Sequence, residues 1–238
     1  MKKTIFGVVV LFALAGYDIG GIRGNGHLVT KQANLDPFIN IDTGGAFRIE
    51  WHSGAPSAAI TVDENLMKYI EMEVRDKVLH IRTTRSVRPT HSIRLTVTSN
   101  VLEGASFSGA SRLDAHQLSG AKFYLETRGA SNVTLDGAVD ELVANMTGAS
   151  DLRAESLQTK SAQLSVTGAG DARIAVSDTL KVSITGAGKV EYIGNPPHIE
   201  REITGAGSIR PRGGNWSSGP TVLGRSHDSS ESPRPRPK

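Results

Sequence analysis

The sequence predicts an all-β solenoid, a parallel β-helix with coils of about 19 residues, and three observations carry that prediction. Glycine supplies 26 of 238 residues, well above the usual roughly 7%, which disfavours helices and suits a chain full of tight turns. A Gly-Ala-Ser/Gly motif recurs with its first glycine at 109, 129, 148, 168, 186 and 205, at spacings of 20, 19, 20, 18 and 19 residues. Around each copy, apolar and polar residues alternate with period 2, the signature of strands with one buried face.

The first fifteen residues read as a secretory leader. Lys2-Lys3 precedes an apolar stretch from Ile5 to Ala15, and Ala13-Leu14-Ala15 offers a small-x-small cleavage pattern before Gly16. That stretch is too short to span a bilayer, and no long apolar run follows it, so the mature chain is expected to lack a transmembrane domain. Leu14-Ala15-Gly16 looks like the start of a lipobox, but Tyr17 stands where the lipidated cysteine would be. The chain has no cysteine at all, which removes disulfides, cysteine-held metals and thiol catalysis. The leader therefore predicts export.

Residues 27–100 carry strand patterning without the Gly-Ala-Ser/Gly motif, as in Phe47-Arg48-Ile49-Glu50-Trp51 and Ile93-Arg94-Leu95-Thr96-Val97. Asp63 to Ile70 is expected to make one or two helical turns with Asp63 as N-cap. This region is expected to begin the solenoid and cover its first open edge, since a bare edge invites aggregation.

In the repeats of residues 101–210 the inward positions follow from the motif. Two residues before the glycine stand Phe107, Thr127, Met146, Val166, Ile184 and Ile203; four after it stand Leu113, Val133, Leu152, Ala172, Val190 and Ile209. Ala115, Leu135, Ala154, Ile174, Tyr192 and Pro211 follow at six. Polar pairs such as Asp151/Arg153 and Asp171/Arg173 fall between them. A single copy cannot bury its apolar face alone, so copies must stack. A β-propeller would need about 40–45 residues per blade, and an antiparallel sandwich would not repeat its turns so regularly. Residues 211–238, rich in Pro, Ser, Gly and Arg, cannot offset their ordering entropy and are expected to be disordered.

With Gly24-Asn25-Gly26, Phe38-Ile39-Asn40-Ile41, Ile60-Thr61-Val62-Asp63-Glu64-Asn65-Leu66 and Leu79-His80-Ile81-Arg82-Thr83 preceding the serial Thr-Gly-Ala-Gly/Ser copies, the chain resembles the bacterial head GIN domain family of auto-transporter adhesins. The resemblance covers about residues 22–210. It implies a right-handed, pectin-lyase-like β-helix in an exported envelope protein, with no recognised catalytic residues and adhesion as the inferred role.

The charge distribution does not support a nucleic-acid binder. The net charge is +3, but the basic excess lies in the two ends; residues 16–209 hold 19 basic and 22 acidic residues, so no nucleic-acid partner is expected. Gly186-Ala187-Gly188-Lys189 lacks the glycine and the Ser/Thr of a phosphate loop, the seven histidines show no metal-ligand spacing, and no Gly-x-Ser-x-Gly elbow occurs. Asp151, Arg153, Asp171 and Arg173 are the best chemical candidates, because equivalent positions in adjacent coils would bring two carboxylates together on one outward face. Paired carboxylates can bind calcium or move protons, yet an arginine two residues after each favours ordinary cross-strand pairing. No catalytic, cofactor-binding or metal residue is assigned, and no cofactor is expected. The expected function is a non-enzymatic exported scaffold binding an envelope or surface polymer or protein. The alternative is a carbohydrate-binding or polysaccharide-active β-helix.

Overall fold

The computed structural model describes residues 20–213; the expected leader, and the expected tail from residue 214 onward, lie outside them. The described chain is nearly all strand and winds into a parallel β-solenoid of about five turns. Strands Arg112–Gly129, Asn132–Gly148, Asp151–Gly168 and Asp171–Gly186 each follow one turn and pair in parallel with the next. The turn closes on Lys189–Ile193, His198–Gly205 and Ser208–Pro211. Pairing continues past residue 210, since Pro211 pairs with Tyr192 and the Arg212 amide donates to the Tyr192 carbonyl.

The expected corner glycines stack in chain order, each in register with the next: Gly109, Gly129, Gly148, Gly168, Gly186 and Gly205. The alanine after each glycine donates its amide to the preceding glycine's carbonyl, as in Ala149 to Gly129 (2.8 Å) and Ala169 to Gly148 (2.9 Å). The hydrogen-bond ladder therefore passes through the corner without a break. Glycine is obligatory at these corners for two reasons. Gly148, for example, has φ +109°, and a Cβ there would lie 2.3 Å from the Gly129 carbonyl oxygen.

Unequal spacing between corners is absorbed by bulges on the far side of the coil. Between the 20-residue turn ending at Gly168 and the 18-residue turn ending at Gly186, the chain advances four residues (154–158) against one (174–175), then two (159–161) against three (176–179). The net shift of two residues restores the register before the next corner. Bulges inside a β-coil are thus length adjusters.

The core is a stack of ladders. Leu113, Val133, Leu152, Ala172 and Val190 are all buried, as are Ala115, Leu135, Ala154, Ile174 and Tyr192. From Ala115 to Ile174 small and large residues alternate along the second ladder, so adjacent coils interdigitate there. The expected parity fails only in the last turn, where Ile203 is 42% exposed and Pro211 is also exposed. No further turn among the described residues covers that end.

The region read as lacking the repeat supplies a seventh corner. Strands Asn40–Gly45 and Phe47–Ser53 stack on the next turn with Gly45 against Gly109. The motif is hidden because Phe47, buried in the core, replaces the Ser/Gly. Beneath that turn, Val78–Thr83 and Ile93–Ser99 form a further layer in parallel, so the chain order is inverted there. Antiparallel strands Ile70–Arg75 and Ser57–Asp63, the latter bordered by Leu28–Asn34, then close the edge.

The expected helical turns are a 3-10 helix, Glu64–Tyr69, with Leu66 buried beneath it. Asp63 occupies the N-cap position, but its side chain does not cap. Its carboxylate instead accepts from the Gly26 amide (2.8 Å) and from the Thr90 amide (2.9 Å) and hydroxyl (2.6 Å). Asp63 is fully buried, and a distant donor set satisfies it better than the short 3-10 turn could. Burial opposes its charge, but these hydrogen bonds outweigh it and hold the carboxyl below the usual carboxylate range.

Candidate functional site: the outer walls of the solenoid

Because inward positions are filled by apolar ladders, chemistry on this fold is confined to outward ladders. The Asp/Arg candidates do come together. Asp151 is in register with Asp171 and Arg153 with Arg173, placing equivalent side chains about 4.8 Å apart in backbone spacing. Arg153 bonds Asp151 at 2.9 Å, and Arg173 lies 3.5 Å from both Asp151 and Glu191. Lys189 also pairs with Glu191, and its hydrogen bond is the main cause that lowers the Glu191 pKa. The wall is a network of exposed and half-exposed ion pairs, the arrangement that neutralises a carboxylate ladder. Asp171 alone of the four has no ion-pair partner among the described residues. No group of three or more His, Asp or Glu among the described residues is arranged to hold a metal ion.

A second cluster lies where the first two complete turns meet. The rings of His52 and His116 stack with centroids 5.2 Å apart. His52 Nε2 sits 3.0 Å from Glu50, and His116 Nδ1 sits 2.7 Å from Asp136. Asp136 also accepts from the Gln117 amide at 2.6 Å. Partial burial works against its charge, but the Gln117 amide and His116 hold its pKa below the usual range. Gln117 has φ +57°, so the Asp136 bond stabilises a left-handed residue at this corner. The cluster is accounted for as a turn clamp.

A third feature is a groove of about 580 Å³ along the coil axis. Its lining repeats turn by turn: Ala138–Asp140, Gln158–Lys160, Ala175–Ser177 and Ile193–Asn195. The floor is apolar, with Val139 and Val176 buried and Ile193 38% exposed. Lys160 and Asp140 pair at 2.7 Å on its rim, which raises the Lys160 pKa.

Over residues 37–196 the chain matches the family described as "Putative auto-transporter adhesin, head GIN domain". The chain belongs to the head GIN domain family. The matched span runs from the strand that opens the first turn to the loop after Ile193, so it takes in both the inverted N-terminal layer and the glycine corners. No curated protein matches this head GIN chain. Among solved structures, it is similar to a "putative adhesin" from Bacteroides fragilis (TM-score 0.66, 21% identity, covering 81% of this chain and 100% of the other). It is also similar to a "putative lipid binding protein" from Parabacteroides distasonis (TM-score 0.57, 21% identity, 82% and 100%). A "putative adhesin" from Parabacteroides merdae aligns at TM-score 0.51 with 22% identity over 81% and 99%. At such identities the likeness establishes the head GIN fold alone. Among the described residues no helix is long and apolar enough to cross a membrane.

The ladders also hold a feature that reading the repeats alone did not single out: three outward arginines, Arg94, Arg48 and Arg112, in consecutive strands. Part of its signal was in the sequence. Gly45-Ala46-Phe47-Arg48-Ile49-Glu50 aligns with Gly109-Ala110-Ser111-Arg112-Leu113-Asp114. Arg94 could not be placed that way, because its strand stacks out of chain order.

Proposed function

We propose that the protein is exported and works without catalysis, as a β-solenoid that attaches to a polymer or protein of the bacterial envelope or cell surface. The observation that carries this reading is the outer wall itself. Side chains in register repeat across successive turns, and of the two carboxylates with the best catalytic spacing Asp151 is held by Arg153 and Arg173 within the wall, leaving Asp171 without a paired second carboxylate free to act with it. Such a surface offers equivalent weak contacts along an axis, which gain strength through repetition. Membership of a family described as adhesins supports the attachment role. The Lys2-Lys3 and Ile5 to Ala15 pattern supports export.

The axial groove favours a second reading, a carbohydrate-binding or polysaccharide-active solenoid, because a trough repeating over several turns suits an extended chain. One experiment separates the two. The purified chain is incubated with pectin, alginate and bacterial envelope fragments, with and without calcium, and both co-sedimentation and new reducing ends are measured. Attachment without new reducing ends is expected. Cleavage abolished by Asp171→Asn alone would overturn the non-enzymatic reading, since a proton-transfer group contributes roughly 10²–10⁴-fold to rate.

A further inference from the structure

One column of outward residues crosses six strands in register: Thr30, Thr61, Arg94, Arg48, Arg112 and Asn132. Its centre is three arginines on neighbouring strands, each exposed, about 4.8 Å apart in backbone spacing. Among the described residues none of the three has a carboxylate within ion-pair distance, whereas Arg153, Arg173 and Lys189 farther along the same wall all do. The acidic residues nearest in sequence do not neutralise them: Glu50 engages His52, and Asp114 forms no ion pair among the described residues. Beside the stripe lies a shallow depression of about 190 Å³ whose lining includes Arg48, Arg112, Asn132 and Ser92.

Like charges placed directly opposite one another across strands destabilise a sheet. Three in a row make a local conflict that an anionic ligand would relieve. The geometry points to this stripe as a binding site for an acidic polysaccharide, the arginines taking its carboxylate or sulfate groups. The inference rests on the surface-binding reading and names its ligand class. Planar guanidinium forks match carboxylate and sulfate oxygens in pairs. The flanking Thr30 and Thr61 hydroxyls and the Asn132 amide can bond the uncharged hydroxyls of sugars. Thr30 and Thr61 already hydrogen-bond each other at 2.8 Å, which holds them on the stripe. No aromatic side chain stands in the column, so it lacks the stacking platform that single-stranded nucleic acids use. Beyond Asn132 the column continues to Asp151, whose negative charge ends the anion-accepting stretch.

The test uses the full chain with polygalacturonate, dextran and duplex DNA as probes. Wild type is compared with the double variant Arg48→Ser/Arg112→Ser and with Arg153→Ser, a paired arginine on the same wall. Polygalacturonate binding is expected to fall with added salt, to weaken at least tenfold in the double variant, and to stay within twofold of wild type in Arg153→Ser. Dextran should not compete. The melting temperature of the double variant should equal or exceed that of wild type; should it fall, Arg94→Ser alone decides the same point. The inference is overturned if the double variant binds polygalacturonate as wild type does, if dextran binds equally, or if DNA is preferred. A double variant that keeps both polygalacturonate binding and attachment to envelope fragments overturns the stripe and leaves the surface-binding reading standing. Wild-type binding to polygalacturonate without any attachment to envelope fragments supports the stripe and overturns that reading.

Discussion

Replacing Gly148 with alanine tests whether the corners are held by glycine for contact as well as for conformation. At φ +109° an alanine must occupy a backbone region that L residues rarely adopt, a strain of about 1–3 kcal/mol. Its Cβ would also lie 2.3 Å from the Gly129 carbonyl oxygen, with the carbonyl carbon and amide nitrogen at 3.1 and 3.2 Å. These are backbone atoms tied into the ladder, so the coils must move apart, and overpacking of this kind costs about 1–3 kcal/mol. The expected loss is about 2–6 kcal/mol, a large share of the roughly 5–15 kcal/mol that holds a domain together. Gly120 is the control. It has φ +145°, but a Cβ there meets nothing within 4 Å, so Gly120→Ala should lose only the conformational part. Urea unfolding followed by circular dichroism, with Trp51 fluorescence reporting the first turn, measures both. Trp51 suits this use because it is buried and its indole N–H bonds Ser99 at 2.9 Å. Equal losses in the two variants would refute the claim that close approach between coils demands glycine.

Three further outcomes are expected. Ile184→Asp, at a fully buried ladder position, should cost several kcal/mol and unfold the solenoid, whereas Arg153→Ser, with a side chain 54% exposed, should cost less than about 1 kcal/mol; thermal melts compare them. The Asp63 and Asp136 carboxyls have pKa values below their ordinary ones, so they contribute stability above the unfolded value near 4 that is lost as pH falls through the folded values. Asp63→Asn should therefore flatten the acid limb of a stability-against-pH curve, and an unchanged limb would contradict the role given to Thr90 and Gly26. Mass spectrometry of protein recovered from a bacterial envelope should find a chain beginning near Gly16 with no diacylglyceryl adduct, because Tyr17 offers no thiol; an adduct or an intact Met1 would contradict that processing.

What the sequence determined by itself is the solenoid and its parity. The period is legible because a parallel coil repeats the same environment at each level: Gly129, Gly148 and Gly168 each meet the carbonyl of the preceding corner glycine, and Val133, Leu152 and Ala172 lie in one core. One-dimensional repetition in space becomes repetition along the chain. The tertiary structure decided whatever depends on contacts between segments that do not repeat. Arg94 lies beside Arg48 only because Ile93–Ser99 inserts beneath an earlier turn, and nothing in the order of residues announces that inversion. Asp63 looks like a helix cap locally, but its partners come from Gly26 and Thr90, 37 and 27 residues away. His52 meets His116 on the neighbouring turn because Phe47–Ser53 pairs with the strand from Arg112, a repeat that Phe47 hides in the sequence. Local pattern is set by neighbours along the chain, and so can be read from it. A clamp or a charged stripe is set by which segments the folded core brings side by side.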